Sequence, residues 1–450
     1  MKTVIKNAIV VSSQGVCEKD IYIEGEKFCA PFAEKPDCVI DAKGKYMLPG
    51  IIDVHTHIEQ VSDVDKTCDD YFEGTRAAVS GGTTSVIIFA VQRKGTLPLD
   101  IIKDRMESAK KKAVCDFSFH LQLTDITDET LNQLEEVVKM GISSVKIYMA
   151  GLGFIVSQPN ILRLLELSKK LGFLIEVHAE SEEMIQYYRE ELIRQGKTEM
   201  QYYADSRPEI CEVTALGILD TFAEYVGCNI YIVHLTSKKG LEKIKNGSGY
   251  LIAETCPHYL TFDRKKYEEK DGAKNMMSPP LREKSDIEGL WKGIQEGDIK
   301  TIGSDHCPFY LKEKLHDDFR KVPLGTPGIE MLLPIVYSKG VAEGKIPITK
   351  LVEVMSENPA RIFNLKEKGW IKEGYDADFV LINPDMVYTV KREDVVSTAG
   401  YSIYEGMELK GKVEKTVVRG QVVYEKNELK VERGYGKFLF REPINVEEKA

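Results

Sequence analysis

Two histidines separated by one residue, His55 and His57, close the stretch from Met47 to His57, a short apolar run punctuated by Pro49 and Gly50. In a strand, residues two apart point to the same face, so the two imidazoles aim together. Imidazole suits Zn²⁺ and other divalent transition metals, which makes the pair the start of a metal site. Donors of the same kind recur at the ends of later apolar runs: His178 ends Leu174–His178, His234 ends Ile230–His234, and Asp305 ends Thr301–Asp305. Lys146 lies inside Ser143–Met149, where an unpaired ammonium would be costly to bury, so its amine must be neutralised or used. A neutral lysine that has taken up carbon dioxide becomes a carbamate, whose two oxygens can bridge two metals. His120, His258 and His316 receive no role, and His258 and His316 are expected to face solvent.

These donors need elements that bring them to one place. From 51 to 365, short apolar strands alternate with helical segments, the pattern of repeated βα units and a parallel sheet. Eight strands are expected: Ile51–His57, Thr83–Phe89, Asp116–Leu123, Ser143–Met149, Phe173–His178, Asn229–His234, Tyr250–Glu254 and Lys300–Asp305. Helices between them include Ile161–Leu171, closed by Gly172, and Lys238–Lys245, with Ser237 as N-cap. This is the α/β signature of a (β/α)₈ TIM barrel, in which active residues sit at the C-terminal ends of strands. Residues 1–50 and 366–450 alternate apolar and polar positions between turns, as antiparallel β does. The two ends are expected to pair into a smaller β-sandwich domain, with the barrel inserted between them.

Of the 450 residues, 43% are hydrophobic and 29% charged, ample for a large core. The net charge of −10 and the absence of a basic run point away from nucleic acid and anionic membranes, and toward a small-molecule substrate. Met1 leads straight into a strand-like segment and no eighteen consecutive residues are apolar, so a soluble, cytoplasmic protein is expected. Nine cysteines without a C-x-x-C pair read as reduced thiols.

With these residues in hand, the chain resembles the cyclic amidohydrolases of the amidohydrolase superfamily, most closely the hydantoinase and dihydropyrimidinase group. The likeness spans nearly the whole chain. It includes Cys68-Asp69-Asp70, Gly81-Gly82-Thr83-Thr84, Ser206-Arg207-Pro208, Glu254-Thr255-Cys256-Pro257, Ser278-Pro279-Pro280-Leu281-Arg282, Ser304-Asp305-His306-Cys307-Pro308-Phe309 and Tyr404-Glu405-Gly406. The resemblance implies that His55, His57 and Asp305 hold one metal, His178 and His234 the other, and carbamylated Lys146 bridges both. It implies zinc as the usual ion, a metal-bridging hydroxide as nucleophile and Asp305 as general base. The implied reaction opens a cyclic amide or imide, a hydantoin or dihydropyrimidine, to an N-carbamoyl amino acid. Ser278 and Leu324 are implied substrate contacts, and a homotetramer the implied assembly.

Two positions depart from the pattern. The family tyrosine that steadies the developing oxyanion is matched here by Gly151, and its usual asparagine by Leu324. Tyr148 is near, but alternation is expected to turn it away from Lys146. The loop Gly151-Leu152-Gly153-Phe154-Ile155 is therefore expected to form an apolar, mobile wall favouring hydantoins with apolar or aromatic 5-substituents over dihydrouracil. Dihydroorotase and allantoinase share the metal ligands. Against the first, Glu59 stands where dihydroorotases usually carry an arginine, and its charge is expected to repel a substrate carboxylate. Non-catalytic dihydropyrimidinase-related scaffolds lose the ligands, all six of which are present here.

Overall fold

The structure, a computed structural model, describes every residue except Val64, Leu152, Phe154 and Ala450. The amino-terminal segment supplies β1 (Lys2–Ser12), β2 (Gly15–Glu24), β3 (Lys27–Cys29), β4 (Cys38–Asp41) and β5 (Tyr46–Pro49). Then come eight strands rich in branched apolar residues: β6 (Ile51–Thr56), β7 (Thr83–Val91), β8 (Asp116–Gln122), β9 (Ser144–Tyr148), β10 (Leu174–His178), β11 (Ile230–Ile232), β12 (Leu251–Thr255) and β13 (Ile299–Ile302). They lie side by side in chain order, all parallel, and nearly every residue in them is buried, as expected of strands covered on both faces. A parallel bridge from Thr56 to His306, with His57 N–H donating to His306 O at 2.8 Å, brings the chain beyond β13 back against the first strand and closes the barrel.

Helix boundaries follow local chemistry. Gly172 ends the helix Gln158–Leu171 with a left-handed φ of 75°, and Ser237 Oγ caps Lys238–Lys245 by accepting from Gly240 N at 2.9 Å. Asp70 caps Tyr71–Ser80 in the same way, accepting from Glu73 N. Among the described residues no helix is long and apolar enough to cross a membrane.

After the barrel come β14 (Phe379–Thr389), β15 (Glu408–Val418), β16 (Gln421–Glu425) and β17 (Glu428–Leu429). They join the amino-terminal strands in one nine-stranded, mostly antiparallel sheet, with β14 against β5 as the seam between the two ends of the chain. Ile5, Ile23 and Phe28 pack there with Phe379, Leu381 and Val417 in a core of their own. Buried Lys368 ties this sheet to the barrel, donating to Asp116 at the start of β8 and to Asp378 beside β14, both at 2.6 Å.

The expected sheet segment 366–450 does not all stay with the sheet. Phe438 stacks near Phe117 and Phe119, and buried Arg441 donates to Ser118 Oγ at 3.0 Å. Backbone bonds then join Arg441 to Gly141, Ile444 to Gly172 and Asn229 to Val446, each just ahead of a barrel strand. The tail thus runs under β8, β9, β10 and β11 at their starting ends, opposite the metal-donor ends.

Candidate metal centre

His178 ends β10 as expected, whereas His57, His234 and Asp305 lie one, two and three residues beyond their strands. His234 and Asp305 adopt left-handed backbone, φ 43° and 48°, which ends the extended run and turns each side chain over the barrel mouth. Gly303 permits this approach: a Cβ there would sit 2.7 Å from His55 Cβ.

The donors converge. Nε2 of His55 and Nε2 of His57 lie 3.2 and 3.3 Å from the same Oδ1 of Asp305. Across the cluster, His178 Nδ1 faces His234 Nε2 at 3.0 Å. Three of the four remaining nitrogens are held from behind: His55 Nδ1 by Glu254 Oε1 at 2.6 Å, His57 Nδ1 by Gln60 Oε1 at 2.6 Å, and His178 Nε2 by Glu180 Oε2 at 2.9 Å. Outer partners of this kind orient metal-ligating histidines. Phe89 packs against both His55 and His57, with ring centroids 4.9 and 4.8 Å away.

Lys146 is fully buried and its Nζ has no hydrogen-bond partner among the described residues. Burial pushes its pKa down to about 8, against the pull of Glu176, Glu254 and Asp305. Burial likewise lowers His178 and His234, the latter further through His178 and Lys146, so both are neutral donors. His55 behaves oppositely. Burial disfavours its charge, but Glu254 and Asp305 on either side raise its pKa to about 10. That pair of carboxylates makes the floor of the site a place that attracts a cation. The donor set, with Nε2 of His55 facing Asp305 and Nζ of Lys146 lacking a hydrogen-bond partner among the described residues, fits divalent ions bound through nitrogen and oxygen.

Above the cluster opens a cavity of about 500 Å³, lined by His57, His178, His234 and Asp305 and also by Ser278 and Leu324. A more open cleft of about 1100 Å³ lies against the terminal sheet, but none of the residues lining it is a histidine or cysteine. The smaller cavity is the one with chemistry at its floor.

Three expectations need correction. Tyr148 does not turn from Lys146: residues two apart share a face, Lys146 Nζ lies 4.7 Å from the Tyr148 ring, and that ring stacks on His178 and lines the cavity. His258 is not exposed but buried, and one potential ligand atom each of Cys256, His258 and Asp305 lies within 4.8 Å of the others. Glu59 is not in the cavity lining, since its carboxylate accepts from Ser108 Oγ at 2.8 Å and Lys112 Nζ at 2.6 Å behind the barrel wall. The expectation of an apolar wall at Gly151–Ile155 falls on a loop whose tip residues, Leu152 and Phe154, lie outside the described residues; the cavity lining around Gly151 includes Ala150, Glu182, Ile185 and Arg189.

Sequence reasoning gave no role to Glu254, which backs both halves of the cluster, or to Glu180, which is paired with Arg207. Both carry a readable signal, since Glu254 lies near the end of β12 and Glu180 two residues past β10.

An eight-stranded parallel barrel with histidine, lysine and carboxylate donors gathered at the C-terminal mouth defines a metal-dependent barrel hydrolase. The chain belongs to the amidohydrolase family, whose model matches residues 46–423. It is 35% identical to a D-hydantoinase of Ralstonia pickettii over 98% of this chain and 99% of that one, and 34% identical to a D-phenylhydantoinase of Escherichia coli over 99% of each. Among solved structures it resembles a dihydropyrimidinase from Brevibacillus agri, with TM-score 0.95, 35% identity and 99% of both chains covered. It also resembles an L-hydantoinase from Arthrobacter aurescens, with TM-score 0.91 and 29% identity over 98% of this chain and 99% of that one.

Proposed function

We propose that this chain hydrolyses the cyclic amide bond of a hydantoin or dihydropyrimidine ring, releasing an N-carbamoyl amino acid. The observation that carries the reading is the convergence of His55 and His57 on one oxygen of Asp305, beside His178, His234 and buried Lys146, at the floor of a cavity of about 500 Å³. The name of each relative above points to the same chemistry.

In this reading His55, His57 and Asp305 would hold one divalent ion and His178 and His234 a second, with a carbamate on Lys146 as a further ligand. Such ions when bound would supply an activated water and polarise the amide carbonyl, and the nitrogen-rich donor set suits zinc. Asp305 accepts the proton of the attacking water as its oxygen bonds to the carbonyl carbon. It returns that proton to the ring nitrogen as the C–N bond breaks. Gln60 and Glu254 keep His57 and His55 in the orientation the site requires. Ser278 and Leu324, both in the cavity wall, contact the ring. A homotetramer in the cytoplasm completes the reading, and light scattering tests the assembly.

Elemental analysis combined with parallel assays on hydantoin, dihydrouracil, dihydroorotate and allantoin tests the whole. About two metals per chain and an N-carbamoyl product are expected. His178→Ala and His234→Ala should each lose one metal and most activity. Full metal content in both variants, or no ring opening of any of the four compounds, sinks the assignment.

A further inference from the structure

The cavity carries more charge than its floor needs. Its walls include Asp65, Glu182, Arg189, Arg207, Arg320 and Lys321. Most of these are already engaged. Arg207 is paired with Glu180, Arg320 forks onto Asp318 at 2.8 and 3.1 Å, Asp65 accepts from Ser62 Oγ at 2.7 Å, and Glu182 accepts from Gly151 N at 2.9 Å. Among the described residues, the side chains of Arg189 and Lys321 make no hydrogen bond or ion pair. Lys321 is exposed and solvated, whereas Arg189 is half-buried. A guanidinium in the cavity wall that no carboxylate engages among the described residues can take an anionic group of a ligand.

Its position suits that role. Arg189 belongs to the helix Glu182–Arg194, which begins four residues after His178. Glu182, Ile185 and Arg189 are spaced three and four apart, so they form one stripe, and all three line the cavity. Glu182 at the head of the stripe is fastened to Gly151, where the wall has no side chain. Arg189 lies two turns on, about 10 Å along the axis, and helical side chains lean back toward the amino terminus, here toward His178 and Gly151. In a chain of net charge −10, an uncommitted arginine at this mouth is a local reversal of sign.

We propose that Arg189 binds an anionic exocyclic group of the substrate, so that the cavity selects cyclic ureides bearing a carboxylate. The planar guanidinium matches a carboxylate with two parallel N–H···O bonds. Glu59, the residue expected to repel such a group, faces Ser108 and Lys112 instead. The inference rests on the cyclic-amide reading of the site and narrows it.

The test uses the metal-loaded enzyme and two matched comparisons: hydantoin-5-acetic acid against its neutral amide, and dihydroorotate against dihydrouracil. The acid of each pair should be favoured about tenfold or more in kcat/KM, through KM, with the margin shrinking as salt rises. In Arg189→Met that margin should fall below about twofold, and Arg189→Lys should keep part of it, since an ammonium retains the charge but not the fork. Circular dichroism and metal content confirm that both variants are folded and loaded. Equal turnover of acid and neutral partner, or an undiminished preference in folded Arg189→Met, overturns the role of Arg189 while leaving the ring-opening activity intact. Failure to open any of the four compounds overturns both.

Discussion

Glu254 Oε1 lies 2.6 Å from Nδ1 of His55, and the same oxygen accepts the backbone N–H of His234 at 3.0 Å. One carboxylate therefore steadies a donor in each half of the cluster. Its other oxygen accepts from Tyr231 at 2.9 Å, so the group cannot rotate freely. Glu254→Gln should weaken metal binding by about 10- to 100-fold, read by competition against a chelator. Unchanged affinity would show that His55 is oriented by packing against Phe89 alone.

Lys146 should carry a carbamate, because a buried amine without a partner is otherwise unexplained. Lys146→Ala should be inactive, and short carboxylates such as acetate or propionate should restore part of the activity by occupying the vacated space. Intact mass under gentle conditions should show the added carbon dioxide. A fully active Lys146→Ala without added carboxylate would remove the bridge from the mechanism.

Asp305→Asn keeps an oxygen for the metal but cannot take a proton at neutral pH. Retained metal with a kcat loss of about 10²-fold or more is the expected pattern. A near-normal kcat would move the general base elsewhere.

Tyr148 stacks on His178, lies beside Lys146 and lines the same cavity as Gly151, the position where the resemblance implies a tyrosine. Tyr148→Phe retains the ring and removes the hydroxyl. If that hydroxyl donates to the developing oxyanion, kcat should drop about 10²-fold with KM little changed. An equal kcat in the variant assigns the donor to another group.

Lys314 is fully buried and directs its ammonium at three backbone carbonyls, those of Met276 at 2.7 Å, Pro323 at 2.6 Å and Gly325 at 2.8 Å. These carbonyls belong to the two segments that present Ser278 and Leu324 to the cavity, so Lys314 positions that part of the cavity wall. Lys314→Met should raise KM about tenfold while kcat and metal content change much less. Equal losses in both constants would point to general destabilisation.

The barrel was legible because its strands are short runs of branched apolar residues and its donors recur at the same end of each. His55 with His57, and His178 at the end of β10, could be placed by alternation alone. His234 and Asp305 could be located only to within a few residues, because their left-handed backbone depends on contacts from neighbouring strands rather than on local propensity. Tyr148 was misplaced although the rule that places it is simple: two residues along a strand is a full period. Glu59 and His258 show the harder limit. Whether a charged or polar side chain faces a cavity, a helix or the core is decided by elements distant in sequence, here Ser108 and Lys112 for Glu59 and the packed end of β12 for His258.

The tail that passes beneath β8, β9, β10 and β11 is synthesised after everything it covers. Residues 438–446 leave the ribosome only after every barrel strand has been made, yet they satisfy backbone groups of Gly141, Gly172 and Asn229 at the base of that barrel. Until then those peptide groups must stay hydrated, and the aromatic surface of Phe117 and Phe119 lacks its Phe438 cover. Every residue of the metal-donor mouth is thus made before the segment that covers the base of the barrel. Exposed apolar surface of this kind favours self-association, so the yield of active enzyme should depend more on residues 438–446 than on any comparable stretch of surface.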